Sequence, residues 1–278
     1  MTRLTALIIL VFGLITPAFA EDEHPRPYQA ESDAMAEVDR ALADAIASER
    51  RLLLVLGANW CHDSRALAHY FEDDTLSALL ETHYVVRHVD VGWRHRNHDV
   101  MRRFGIAAIY ATPTVLIIDP EDEFLLNRQS TEYWTSAASR PVSDAIEYFT
   151  RWVDAQSDVD GLIPASVIYQ SMLTEIEVFE AEEGERLSAA YIDIAQWRDL
   201  PVHERPDNYR TLAREVEDWR QDMVRQVRRL RAQALELVET ELAVMADGAP
   251  ITLDLIDAFD QSDADLPLDM EPHQSDRW

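Results

Sequence analysis

The chain has 278 residues, of which 47 % are hydrophobic and 9 % aromatic, so it can form a packed core and is not disordered throughout. Its 52 acidic residues outnumber its 25 basic residues, and the net charge of -27 argues against nucleic acid as a partner because phosphate backbones are repelled. Every basic residue is an arginine, which excludes Schiff-base and P-loop chemistry that depends on lysine.

Residues 1–20 have the pattern of an export signal. Arg3 precedes an apolar stretch from Leu4 to Ile15, and the segment closes with small residues at a typical cleavage site. We expect cleavage after Ala20 and a periplasmic or secreted mature protein. No later segment is apolar for long enough to cross a bilayer, so no membrane span is expected after cleavage.

Residues 33–156 follow a polar lead-in (21–32) that contains two prolines and is expected to be flexible. In 33–156, helical and strand periodicities alternate. Strands are predicted over 52–56, 85–91, 114–118 and 124–126, with helices starting near 33, 61, 76, 97 and 141. This alternation predicts an α/β fold, with helices on both faces of a central sheet.

The rest of the chain is more acidic, and helical periodicity dominates it. We predict an all-α extension over 160–246, separable from the α/β domain, with helices near 165–182, 187–199 and 208–245. Residues 247–278 have little pattern and are expected to form a mobile acidic tail. Two clusters of charge lie in this extension, glutamates between 175 and 185 and arginines between 220 and 231. They form two solvated faces, or dock on each other in an antiparallel hairpin, or the arginines bind an acidic partner.

Two short motifs carry the chemistry. Trp60-Cys61-His62-Asp63-Ser64 follows the first buried strand, and Cys61 begins a helix whose N-terminal amides and dipole favour a thiolate. We expect this thiol to be partly exposed. About fifty residues later, Thr112-Pro113 precedes another buried strand and is a candidate cis peptide bond.

With these motifs, residues 33–155 resemble the thioredoxin superfamily, in which a W-C-x-x-C motif faces a cis-proline loop. The resemblance implies a thioredoxin fold and nucleophilic attack by Cys61 on disulfides. It also implies that Pro113 packs at the active site, and that Trp60 and Thr112 contribute to substrate binding. We also expect His62 and Asp63 to contribute to substrate binding.

The chain departs from the family pattern at Ser64, which stands where the resolving cysteine belongs. Because Cys61 is the only cysteine, self-contained oxidase or reductase turnover is excluded, whereas isomerisation, exchange with an external thiol and covalent client capture remain. Ser64 can donate a hydrogen bond to the thiolate without reacting. Val55 also replaces the buried aspartate that relays protons in many thioredoxins.

Two functions from different classes therefore stay open. The first is thiol–disulfide exchange on protein clients or with an envelope redox partner, and the alternative is a redox-inactive binding or scaffold module. Zinc binding by Cys61, His62 and Asp63, or by His95 and His98, is disfavoured because adjacent residues rarely chelate one ion. No metal or other cofactor is expected.

Overall fold

The computed structural model describes residues 25–155, 162–262 and 264–278, so the predicted signal peptide (1–20) lies outside the described residues. None of the helices in these ranges is long and apolar enough to cross a membrane. The strands are β1 (Arg51–Gly57), β2 (Tyr84–Asp90), β3 (Thr114–Asp119) and β4 (Phe124–Leu125). The α-helices are α1 (Ala34–Ala47), α2 (His62–Tyr70), α3 (Asp74–His83), α4 (His98–Arg103), α5 (Val142–Arg151), α6 (Val167–Asp199), α7 (Tyr209–Ala246) and α8 (Leu253–Asp260).

The four strands form one mixed sheet in the order β2-β1-β3-β4. β1 pairs parallel to β2 and antiparallel to β3, and β3 pairs antiparallel to β4. In this register Val55 lies opposite Val115, so the two predicted buried strands are neighbours at the centre of the sheet. The α/β fold expected from the alternating periodicities is confirmed.

Alternate side chains of β1 enter two separate apolar layers, as the two-residue period of a strand requires. Leu53 and Val55 pack with α2, α3 and α5 on one face. Leu52, Leu54 and Leu56 pack with α1 and α4 on the other. All five side chains are fully buried, and each contributes on the order of 2 kcal/mol by leaving water.

The extension begins with α6 and α7, which pack together as an antiparallel hairpin. α6 is one helix from Val167 to Asp199, so the predicted break between 182 and 187 is wrong. Gly184 lies inside this helix, where its missing side chain allows the helix to touch the backbone of Ala107. The docked-hairpin alternative is the one observed, and Arg231 and Glu180 form an ion pair of 3.1 Å between the two charged clusters.

The extension shares a core with the α/β domain. Ile106 and Ala108, in the loop before β3, belong to the same buried cluster as Ile176 and Leu187 of α6 and Trp219 of α7. The expected separable unit therefore differs from the observed packing, because the apolar stripe of the hairpin is partly covered by this loop.

The C-terminal segment also differs from the expected patternless mobile tail, since it contains α8 and contacts the hairpin. The ring of His273 stacks on Trp219 at a centroid distance of 4.3 Å, and the backbone N–H of His273 donates to Glu183 at 3.0 Å. The Trp278 indole N–H donates to Asp193 at 3.1 Å. A few aromatic and polar anchors hold this acidic segment, which periodicity alone does not reveal.

The end of the lead-in is likewise held in place. Tyr28 is buried, and its backbone exchanges two hydrogen bonds with the Asn59 side chain, at 3.3 and 2.7 Å. Its ring lies against Gly57, where a Cβ atom would come within 2.7 Å of two ring carbons and the hydroxyl oxygen. The expectation of a flexible lead-in is therefore wrong at Tyr28, because one aromatic residue anchors an otherwise polar segment.

Candidate functional site

Cys61 lies at the N-cap of α2, in the turn that follows β1. The turn is closed by a hydrogen bond of 3.0 Å from the Cys61 N–H to the Ala58 carbonyl. The Cys61 thiol donates to the Thr112 carbonyl at 3.2 Å, and the Thr112–Pro113 peptide bond is cis. The structure thus brings together the two motifs, which are about fifty residues apart in the chain.

Cys61 is less accessible than expected. Only 7 % of the residue is exposed, whereas the sequence predicts a partly exposed thiol. The reason is tertiary, because the Thr112 carbonyl packs directly on the sulfur atom.

Ser64 is fully buried one turn into α2, at the position of the missing resolving cysteine. Its hydroxyl has no hydrogen-bond partner among the described residues, while its carbonyl accepts from the Tyr28 hydroxyl at 3.4 Å. Burial raises the pKa of Tyr28, so this tyrosine remains a neutral donor. The serine therefore fills the place of a second thiol without supplying a second nucleophile.

Asp63 and His62 occupy different environments. Asp63 is buried, and one carboxylate oxygen accepts the Ala138 N–H at 2.9 Å, so it anchors the turn before α5. The His62 side chain is exposed, and its Nε2 atom lies 3.3 Å from the other Asp63 oxygen. Asp63 is thus engaged in holding the fold, while His62 is available at the surface beside Cys61.

Trp60 is half-exposed and belongs to a stack that sequence reasoning missed. Its ring lies parallel to Trp93, with centroids 4.6 Å apart, and its indole N–H donates to the Gly92 carbonyl at 2.7 Å. The Arg94 guanidinium lies 5.3 Å from the Trp60 centroid, and Arg198 of α6 lies 4.3 Å from that of Trp93. The extension therefore contacts Trp93, the stacking partner of the residue that flanks the nucleophile.

Arg94 is a charged residue beside Trp60 that the sequence did not indicate. Burial lowers its pKa, Arg220 of α7 lowers it further, and Tyr191, Glu217 and Cys61 act in the opposite direction. Arg94 and Cys61 therefore interact electrostatically, with Cys61 the smallest of these contributions. Arg94 stands in the loop after β2, more than thirty residues from Cys61, and no local pattern distinguishes it from other arginines.

The extension also binds the loop that carries Pro113. The Tyr191 hydroxyl of α6 donates to the Ile109 carbonyl at 3.1 Å, and the Arg220 guanidinium of α7 donates to the Tyr110 carbonyl. These two side chains satisfy backbone acceptors immediately before Thr112. The geometry of the cis-proline loop is therefore linked to the position of the helical hairpin.

His95 and His98, in and after the loop that follows β2, each contact a backbone atom. His95 Nδ1 accepts the Trp93 N–H at 3.1 Å, and His98 Nε2 lies 2.8 Å from the Arg94 carbonyl. Within the described ranges, no three His, Cys, Asp or Glu side chains are grouped so that they could hold a metal ion.

The chain is similar to known proteins over its α/β part. A family model described as thioredoxin-like matches residues 33–120. The solved structure of a disulphide isomerase from Xylella fastidiosa Temecula1 is 28 % identical, covers 46 % of this chain and 96 % of its own, and superposes with a TM-score of 0.43. No match was found among curated proteins.

The matched residues include β1, the Trp60–Ser64 motif and the cis Thr112–Pro113 bond, and they account for most of the mixed sheet. A central sheet with this motif at the N-terminus of a helix, opposite a cis-proline loop, is the arrangement predicted from the sequence. Residues 33–120 therefore match the thioredoxin-like family, and the α/β part of the chain has a thioredoxin-like fold.

Proposed function

We propose that this chain is an exported thiol–disulfide exchange protein that uses Cys61 as its single nucleophile. The observation that carries the proposal is the position of the Cys61 sulfur, at the start of α2 and 3.2 Å from the Thr112 carbonyl, which precedes the cis peptide bond to Pro113. The thiolate is the reactive form of cysteine, and Cys61 occupies a helix N-terminus, a position at which reactive cysteines are commonly found.

The reaction begins when the Cys61 thiol loses its proton to solvent. The thiolate then attacks one sulfur of a client disulfide, a new S–S bond joins Cys61 to the client, and the second client sulfur leaves as a thiolate. A thiolate of the client, or of an external thiol, then attacks this mixed disulfide and releases Cys61. With a client thiolate the disulfide is rearranged and no net electrons are transferred.

The alternative function is a redox-inactive binding module. It is supported by the low exposure of Cys61 and by the contacts of Tyr191 and Arg220 on the cis-proline loop. In this alternative the hairpin occupies part of the surface next to the site, and Cys61 serves only as a small buried side chain.

Thiol trapping separates the two functions. We expect the native protein to react with iodoacetamide at neutral pH and to form adducts with a disulfide-bonded client that survive on a non-reducing gel. Adducts should persist because Ser64 provides no resolving thiol. Cys61→Ala should form none and should keep its fold, since a small side chain is exchanged for another.

Ser64→Cys is the matched gain-of-function variant. It should create a dithiol, form a reducible internal disulfide and clear the client adducts, so that insulin reduction with an external reductant becomes catalytic. If Cys61 reacts only after denaturation and the native protein forms no adducts, the binding-module alternative replaces the proposal.

Export is proposed from the signal pattern of residues 1–20. Expression of the whole chain in a Gram-negative host, followed by mass spectrometry of the periplasmic fraction, should give a mature N-terminus at Glu21. A product that retains its first twenty residues in the cytoplasm contradicts this part of the proposal.

A further inference from the structure

β2 is an outermost strand of the sheet, since the strand order is β2-β1-β3-β4. Just beyond β2, the Val91 N–H donates to the Gly57 carbonyl of β1 at 3.0 Å. Within a strand, the N–H and C=O groups of one residue face the same side, and successive residues alternate between the two sides. Val85, Arg87 and Val89 therefore face β1, and the residues between them turn their backbone groups away from the sheet.

The outward backbone groups in the middle of β2 are unpaired. At one end of the strand, the Tyr84 carbonyl accepts from the Arg50 guanidinium at 3.3 Å, and at the other the Asp90 carbonyl accepts a side-chain amide at 2.7 Å. Between them, the N–H and C=O groups of Val86 and His88 have no hydrogen-bond partner within residues 25–155, 162–262 and 264–278, and both residues are partly exposed. A row of free donors and acceptors of this kind can pair with another extended chain.

A groove of about 400 Å³ lies beside this edge. Its apolar lining comes from Phe71 and Leu80 and from Val86 of β2, and the His88 ring lies 5.9 Å from that of Phe71. A strand that pairs with β2 continues the sheet, so every second side chain of that strand faces the groove. Apolar side chains at those positions would leave water there, which favours docking.

The charges around the edge are balanced within the chain. Arg87 of β2 is ion-paired with Glu31 and, at 3.3 Å, with Glu37 of α1. Arg50 and Glu81, which also line the groove, carry opposite charges. The edge therefore favours an uncharged segment. The net charge of -27 opposes the approach of a second copy of this chain, so the segment belongs to a different protein.

We infer that the outer edge of β2 is a docking site for an extended segment of a partner protein, which adds to the sheet as a further strand. The segment pairs its backbone with Val86 and His88 and carries uncharged, apolar side chains at the alternate positions that face the groove. This site is distinct from the Cys61 site, and its existence does not depend on the thiol chemistry proposed above.

Hydrogen exchange on the full chain measures whether the edge is free. The amides of Val86 and His88 should exchange about tenfold faster, or more, than those of Val85, Arg87 and Val89, because only the second set faces β1. Equal protection of the two sets overturns the inference.

The binding test uses the full chain and two fluorescently labelled peptides. The first is a capped peptide of alternating threonine and valine, and the second has the same side chains but is methylated at every backbone nitrogen. We expect the first to bind saturably at one site per chain and to protect the Val86 and His88 amides. The methylated peptide should bind about tenfold more weakly, or not at all, because strand addition depends on main-chain hydrogen bonds.

Two variants at one position locate the binding. Val86→Pro removes the outward N–H and keeps the backbone donors that face β1, and proline is tolerated in an edge strand. It should weaken binding of the first peptide about tenfold or more. Val86→Ala is the matched control, because it also shortens the side chain but keeps the N–H, and it should weaken binding much less.

Equal affinity for the two peptides, no saturable binding, or equal effects of Val86→Pro and Val86→Ala each overturn the inference. A dimer in sedimentation experiments whose formation protects the Val86 and His88 amides also overturns it, because a second copy then occupies the edge. If Val86→Pro fails to fold, as judged by circular dichroism, the methylated peptide and hydrogen exchange decide the outcome. Client trapping by Cys61 is measured separately, so its loss leaves this test unaffected.

Discussion

Some polar side chains at the candidate site hold the fold in place, whereas others are positioned to influence the sulfur atom. Asp63 is two residues from the nucleophile in the sequence, yet its carboxylate accepts a hydrogen bond of 2.9 Å from the Ala138 N–H. Ser64 is buried and supplies no thiol. The group that adds charge near Cys61 is instead Arg94, from a different loop. Adjacency in the sequence therefore does not identify which side chain acts on the sulfur.

His88 on β2 makes the stability of the protein sensitive to acid. Its ring meets the edge of Tyr28 at 5.3 Å and lies 5.9 Å from Phe71, and burial lowers its pKa from 6.5 to about 4. Between these values the unfolded chain binds a proton that the folded chain does not, so stability falls as the pH is lowered. The loss attributable to His88 is about 3 kcal/mol at pH 4.

Urea unfolding at pH 7 and pH 4 measures this effect. His88→Phe should lose about 3 kcal/mol less than the native chain over this interval, because the titrating ring is gone. His62→Gln is the matched control, since His62 is exposed, and it should behave like the native chain. Identical losses in the native chain and in His88→Phe contradict the prediction.

Among the helices, α6 decides how the hairpin sits on the α/β domain. A Cβ atom at Gly184 would lie 2.7 Å from the Ala107 Cβ atom and 2.9 Å from the Ala107 carbonyl carbon and oxygen. Real side chains do not approach backbone this closely, so the helix or the loop must move if a methyl group is added. Glycine is therefore required here by contact, although it is unfavourable within a helix.

Gly184→Ala tests that contact by opposing two effects. Helix propensity alone would stabilise the variant by about 1 kcal/mol. Overpacking against backbone costs about 1–3 kcal/mol, so we expect a net decrease in the free energy of unfolding. Ala189→Gly, at an exposed position of α6, measures the propensity term and should destabilise by about 1 kcal/mol. A more stable Gly184→Ala protein shows that the contact is not tight.

At the scale of the whole molecule, the hairpin stabilises the cis-proline loop and covers part of the site. A chain ending at Ser157 lacks Arg198, Tyr191 and Arg220, which contact Trp93 and the Ile109 and Tyr110 carbonyls. We expect this chain to unfold at lower urea concentration, because loop residues buried by the extension become exposed. Cys61 should be alkylated faster than in the full chain.

A chain ending at Ser262 is the matched control. It lacks the segment from Ala264 to Trp278, whose contacts are with α6 and α7, so the alkylation rate of Cys61 should stay near that of the full chain. If the chain ending at Ser157 is as stable as the full chain and reacts at the same rate, the extension and the α/β domain are independent.

The sequence by itself determined the α/β domain and its motifs. Apolar runs such as 52–56 and 114–118 have few ways to be buried except as central strands, and the Trp60–Ser64 and Thr112–Pro113 motifs lie next to them. Their meeting at the Cys61 sulfur follows from that topology.

Only the tertiary structure decided what surrounds the thiol and where the extension lies. The continuity of α6 through Gly184, the Trp60–Trp93 stack and the contact of Arg94 with Trp60 depend on contacts between distant segments. Periodicity reports which face of an element is apolar, but it does not report which other element covers that face. Most of the features that distinguish this chain from a plain thioredoxin fold are contacts between distant segments, which periodicity does not predict.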